Sequence, residues 1–123
     1  MDVVGSELFD LGEEEVDRLP FGLISVGADG TIEQYNAFES RLARLPKERV
    51  LGRNFFRDVA PCTAVRDFQG RFERFVAAGG DGAESFEFTF AFPFGRQRVN
   101  ITFLRSAKSK QIKILVNRHD DEG

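Results

Sequence analysis

The chain has 123 residues, which is the size of one ordinary domain and leaves no room for a second independent core. Its residues are 41% hydrophobic and 30% charged, a balance typical of globular proteins that argues against a disordered or membrane-spanning chain. The net charge of -3 argues against nucleic acid as a partner, because phosphate binding needs clustered cations.

The first half of the chain predicts an acidic N-terminal segment, a β-hairpin and a capped helix. Residues 1–18 are acidic and predict an N-terminal cap segment with at most a short helix. Residues 21–26 and 31–35 are typical of two strands around an Asp-Gly turn, whose glycine supplies the positive φ of tight hairpins. Asn36 has the position of a helix N-cap, and Glu39 follows three residues later as in a capping box.

The second half predicts one longer helix followed by three strands. Apolar residues recur at helical intervals over 66–78, and the glycines that follow end this helix. Residues 84–94 alternate with period two, which places five phenylalanines on one face. The alternation returns over 97–105 and 111–117, and residues 118–123 form a polar tail.

This order predicts an α+β domain over residues 19–117, with a five-stranded antiparallel sheet and helices on one face. A single cysteine excludes an intrachain disulfide and is typical of a reducing compartment. No apolar run approaches the roughly 20 residues that a transmembrane helix needs, and the start of the chain lacks a signal-peptide pattern. We therefore expect a cytoplasmic protein that does not associate with membranes.

The sequence does not favour an enzyme. Cys62 and the distant His119 make a poor nucleophile–base pair, and His119 has no nearby ligand set for a metal. No phosphate-binding glycine loop, dinucleotide fingerprint or zinc spacing is present.

The run from Gly52 to Thr63 carries the most specific signal. It reads Gly-Arg-Asn-Phe-Phe-Arg-Asp-Val-Ala-Pro-Cys-Thr, and Glu39 and the segment Gln-Tyr-Asn-Ala at 34–37 precede it. These residues closely resemble the photoactive yellow protein family of the PAS superfamily, and the likeness extends over about residues 19–105. The resemblance implies the PAS fold.

The resemblance also implies a blue-light receptor with p-coumaric acid bound to Cys62 as a thioester, its buried phenolate hydrogen-bonded by Tyr35 and Glu39. Glu39 can donate only while protonated, which burial favours by raising the pKa of a carboxyl, by about 3–5 units at most. After isomerisation of the chromophore, Glu39 would lose its proton and become a buried carboxylate without a partner. That unstable charge would drive partial unfolding of residues 1–18.

The remaining site residues that the resemblance implies fall into two groups. Those expected to line the chromophore are Phe55, Ala60, Pro61, Phe88 and Phe90. Those expected to cover the pocket are Arg44 and Leu45. The signal would leave through an unidentified signalling protein partner, and homodimerisation, which is common among PAS domains, stays open.

Four positions depart from the family pattern. Ala43 and Leu45 stand where the family usually has Thr and Arg, and Phe94 and Phe88 where it has Met and Tyr. Arg44 lies one place before the usual arginine and is a candidate substitute. These changes favour a pocket that is more open or more apolar, and a slower thermal recovery.

Each site residue also has a purely structural interpretation. Cys62 fits an inert buried thiol, Tyr35 a strand residue, and Glu39 a helix cap, while the phenylalanine stripe fits core packing. Two other functions therefore stay open. One is a PAS interaction module that works without a chromophore, through dimer or partner contacts, and the other is a PAS pocket that binds another small ligand noncovalently.

Overall fold

The computed structural model describes residues 7–118, in which five strands form one antiparallel sheet of order β2-β1-β5-β4-β3. The strands are β1 (Gly22–Val26), β2 (Ile32–Tyr35), β3 (Gly82–Phe92), β4 (Gly95–Arg105) and β5 (Ile112–Arg118). The first and last strands of the sequence, β1 and β5, pair at the centre of the sheet. The predicted fold class, an α+β domain with a five-stranded antiparallel sheet, is confirmed.

The helices are short and lie mostly between β2 and β3. They are α1 (Glu13–Asp17), α2 (Ala37–Ala43), α3 (Lys47–Val50) and α4 (Arg71–Ala78). Two π-helical turns, Phe55–Val59 and Arg66–Gly70, flank a 3-10 turn at Pro61–Thr63. The helix predicted over 66–78 is therefore α-helical only from Arg71, because its first turn is wound more widely.

The main core lies between the helical middle and one face of the sheet. Phe68 is fully buried there, and its ring centroid lies 5.4, 5.0 and 5.6 Å from those of Phe86, Phe88 and Phe103. The phenylalanine stripe of β3 is thus core packing. Phe94 is the exception, because the chain turns at Gly95 (φ 145°) and leaves its side chain 38% exposed.

A second apolar cluster covers the opposite face of the sheet. Its buried residues are Leu8, Val16, Leu23, Leu104 and Leu115. Since successive strand residues point to opposite faces, Leu23 and Ile24 of β1 belong to different cores. Residues 8–19, which include α1, therefore cover the second face, whereas the sequence predicted helices on one face only.

Residues 7–118, which the structure describes, include the whole of the predicted domain over 19–117. β5 continues to Arg118, one residue into the segment predicted as a polar tail. The rest of that tail (119–123), which includes His119, and the first residues of the cap segment (1–6) lie outside the described residues. Within residues 7–118, no helix is long and apolar enough to cross a bilayer.

Asn36 joins the two layers through four hydrogen bonds of one fully buried amide. Its Oδ1 accepts from the backbone N–H groups of Leu23 and Glu39, each at 3.0 Å. Its Nδ2 donates to the backbone carbonyls of Val16 and Phe21, also at 3.0 Å. The predicted N-cap is confirmed, and the same side chain also ties α2 to β1, α1 and the segment between them.

Replacing Asn36 by alanine should lower the free energy of unfolding by at least about 1–3 kcal/mol, the cost of one buried group left unpaired, because four backbone groups lose their side-chain partner. Urea denaturation followed by circular dichroism would measure the change. Asn117→Ala, which removes an exposed amide from β5, is the matched control and should stay within about 0.5 kcal/mol of wild type. Equal losses in the two variants would contradict the linking role of Asn36.

Candidate functional site

Tyr35 and Glu39 enter the protein interior from adjacent elements. Tyr35 is the last residue of β2, and Glu39 lies in the first turn of α2. Each residue is 2% exposed. The predicted capping box is wrong in its second half, because the backbone N–H of Asn36 donates to the carbonyl of Leu23 at 3.0 Å and not to Glu39. The Glu39 carboxylate is therefore free for another contact. That contact is with a basic residue at the end of β5.

Glu39 and Arg118 form a buried, two-pronged ion pair. Arg118 donates from Nη1 to Oε1 at 2.7 Å and from Nη2 to Oε2 at 3.1 Å. Burial raises the pKa of Glu39, and the hydrogen bonds and charge of Arg118 oppose that rise. The expectation that an ionised Glu39 has no partner is therefore wrong, since the guanidinium matches both carboxylate oxygens.

The Tyr35 hydroxyl, unlike the Glu39 carboxylate, is not hydrogen-bonded by another side chain or backbone group of residues 7–118, although the side chain is buried. Burial raises the pKa of Tyr35, the charge of Glu39 raises it further, and Arg118 opposes the rise. The phenol is therefore a neutral donor that the described protein does not use, which is unusual for a buried tyrosine.

Cys62 lies on the 3-10 turn that follows the first π-helical turn. Thr63 closes this turn, since its Oγ1 donates to the carbonyl of Ala60 at 2.6 Å. The Cys62 sulfur is half-buried, accepts the backbone N–H of Ala91 at 3.5 Å, and packs against the apolar cluster that contains Tyr35. The thiol therefore faces the main core while part of it stays reachable from outside.

An apolar groove of about 540 Å³ leads to Cys62. Of the predicted site residues, Ala60, Pro61, Arg44 and Leu45 line it together with Cys62. The Arg44 guanidinium lies 4.1 Å from the centre of the Phe94 ring, a cation–π contact that links the end of α2 to the turn between β3 and β4.

The other predicted site residues lie deeper. Phe55 and Phe90 are 2% and 1% exposed in the main core, and Phe88 is half-buried against Phe68. Among the described residues, the lining of the groove includes neither Tyr35 nor Glu39. The site thus has two parts, a groove with a thiol and an interior polar pair, and both border the same apolar cluster.

Sequence reasoning missed Arg118 and Gln97. The Oε1 of Gln97 accepts from Nε of Arg118 at 2.8 Å, and its Nε2 donates to the carbonyl of Leu42 at 3.0 Å. One signal could have found Arg118: it continues the inward positions 112, 114 and 116 of β5. A charged residue at an inward strand position needs a buried partner, and Glu39 was the acid predicted to be buried.

Gly22 makes room for this ion pair. It lies beside Val116 in the sheet, and a Cβ added to it would collide with the Glu39 carboxylate. The absence of a side chain on β1 at this point is therefore what lets the Glu39 side chain lie between α2 and the sheet.

We expect Gly22→Ala to lower the free energy of unfolding by about 1–3 kcal/mol, the range for overpacking a core. In a Glu39→Ala background the same change should cost at least about 0.5 kcal/mol less, because most of the colliding side chain is gone. Urea denaturation of the four proteins gives this double-mutant cycle. Gly12→Ala, at an exposed glycine, is the control, and strictly additive losses would argue against the proximity of Gly22 to Glu39.

Comparison with known proteins gives consistent matches over most of the chain. The family described as PAS fold matches residues 16–113. Photoactive yellow protein of Rhodothalassium salexigens is 36% identical over 117 residues, which cover 95% of this chain and 93% of that protein. The corresponding protein of Halochromatium salexigens is 34% identical over 117 residues, with the same two coverages of 95% and 93%.

A solved structure gives the same result in three dimensions. The crystal structure of the photoactive yellow protein domain of the sensor histidine kinase Ppr from Rhodospirillum centenum matches with a TM-score of 0.84. Its sequence identity is 39%, and the match covers 91% of this chain and 97% of that domain.

Proposed function

The chain belongs to the photoactive yellow protein family of PAS sensory domains, and from that premise we propose a blue-light receptor that carries p-coumaric acid on Cys62. The observation that supports this most is the buried Tyr35 hydroxyl, a donor without a partner among residues 7–118, in the apolar cluster that Cys62 borders. When bound, p-coumaric acid would supply a double bond that isomerises in blue light and a phenolate that accepts hydrogen bonds.

Cys62 would provide the covalent anchor. Its sulfur would bond to the carbonyl carbon of an activated p-coumaroyl ester, the bond to the leaving group would break, and the thiol proton would leave with the displaced group. The groove beside Ala60 and Pro61 offers a route by which such an ester reaches the thiol. The turn that holds the sulfur is closed by Thr63, so the anchor point is fixed before the ligand arrives.

Tyr35 and Glu39 would stabilise the buried phenolate. An unpaired buried charge is very unfavourable, so a phenolate in this core needs strong donors. Tyr35 has a free hydroxyl whose raised pKa keeps it protonated at neutral pH. Glu39 can donate only when protonated, and burial, which raises the pKa of its carboxyl, favours that form.

The N-terminal cap segment, residues 1–18, would carry the signal to the surface. Glu39 lies in the first turn of α2. When it gives up its proton, its carboxylate would exchange the chromophore phenolate for Arg118 as its partner. Asn36 caps this turn and holds the carbonyls of Val16 and Phe21, so a change at Glu39 is passed to α1 through one side chain. The relative from Rhodospirillum centenum is a domain of a sensor histidine kinase, and we propose that this chain likewise acts on a signalling protein.

A chromophore-free PAS interaction module is the second candidate. The observation that favours it is the Glu39–Arg118 pair, because Arg118 already satisfies both carboxylate oxygens without a ligand. Reconstitution distinguishes the two candidates.

Mixing the purified chain with activated p-coumaric acid should give a yellow product whose mass rises by one p-coumaroyl group. Its visible band should bleach in blue light and return in darkness. Cys62→Ser should abolish both the mass increase and the band, because it removes the only thiol of the chain. A band that persists in Cys62→Ser would contradict the site, and a wild-type chain that takes up no chromophore would favour the interaction module.

In the reconstituted protein, Glu39→Gln and Tyr35→Phe should each shift the visible band to the red, because a weaker or missing donor stabilises the ground-state phenolate less. Absorption spectroscopy measures the shift. Glu48→Gln, which alters an exposed carboxylate on α3, is the control and should leave the spectrum unchanged. An unshifted Glu39→Gln spectrum would remove Glu39 from the chromophore site.

A further inference from the structure

The contact between Glu39 and Arg118 needs an explanation beyond packing. The two side chains are 3% and 11% exposed, so the guanidinium and the carboxyl group that it binds are both held away from water. Buried ion pairs contribute little net stability compared with apolar side chains, which makes this pair a costly way to fill space. A functional reason for a buried cation at this position is therefore worth seeking.

Charge balance supplies that reason. A p-coumaroyl phenolate beside an ionised Glu39 would place two negative charges next to one positive charge. Protonating Glu39 restores one negative charge for one positive charge. Among residues 7–118, the titratable groups that interact with the Glu39 carboxyl are Arg118 from β5 and Tyr35 from β2, and Gly22 of β1 lies against the same side chain.

We propose that Arg118 is a positioning residue that keeps one negative charge in the core, on Glu39 when that carboxyl is ionised and on the chromophore phenolate when Glu39 is protonated. This inference rests on the proposed function. In darkness Arg118 holds the guest phenolate ionised through its charge. After Glu39 loses its proton, the same guanidinium receives the carboxylate in the two-pronged geometry described above.

The position of Arg118 is itself fixed, which the role requires. Its Nε donates to Gln97, and Gln97 is anchored on the carbonyl of Leu42 in α2. The guanidinium is thus held by β4 and α2 at once and cannot follow a moving charge far. The negative charge moves and the positive charge stays.

The test compares wild type with Arg118→Met, which removes the charge, and Arg118→Lys, which keeps the charge but loses the planar fork. Arg96→Met removes an exposed arginine from β4 and is the matched control. In the chain without chromophore, carbon-13 NMR of labelled glutamate follows the ionisation of Glu39 against pH. Arg118→Met should weaken Glu39 as an acid by about tenfold or more, which is one pKa unit.

In the reconstituted chain, visible absorption against pH follows the phenolate. Arg118→Met should make the phenolate bind its proton about tenfold more tightly or more, again one pKa unit, and Arg118→Lys should show a smaller shift. Folding of each variant is checked by circular dichroism, and Arg118→Lys keeps the test decisive if Arg118→Met does not fold.

The outcomes separate the two claims. If wild type takes up chromophore and both titrations are the same in the Arg118 variants as in Arg96→Met, the role of Arg118 is overturned while the light receptor stands. If wild type takes up no chromophore, the proposed function fails and the exchange of charge fails with it. Shifts in both titrations support the inference.

Discussion

The amide of Asn36 is the interaction on which the arrangement of this domain depends. It fixes the start of α2 against β1, and in doing so it directs Glu39 into the interior, where its carboxylate binds Arg118. The same amide binds the carbonyls of Val16 in α1 and of Phe21, and so ties α1 to the start of α2. One buried side chain therefore sets both the position of the acid and its connection to the surface.

The sequence allowed much of the fold to be predicted, because period-two alternation and turn glycines are local signals. The N-cap at Asn36 was equally local. The cover on the second face was not predictable in this way, since Leu23, Leu104 and Leu115 become one patch only when three strands align. Arg118 was missed because its strand was expected to end at 117 and its partner lies 79 residues away along the chain.

The two parts of the site differ in what determines them. The interior pair is set by strands and the start of a helix, which leaves Glu39 and Arg118 few alternative positions. The groove is bordered by the end of α2, where Arg44 takes a left-handed conformation (φ 59°), and by the turn before β4. Three of the four residues expected to depart from the family pattern, Ala43, Leu45 and Phe94, line this groove.

The turn that carries Cys62 has a wider consequence. The location of the sulfur follows from the backbone of residues 60–63, the Thr63 hydroxyl and the backbone N–H of Ala91. These contacts involve backbone atoms and one hydroxyl, so a different side chain along the groove leaves them in place. If Cys62 carries a ligand as proposed, substitutions along the groove would alter access to the sulfur while the sulfur keeps its position.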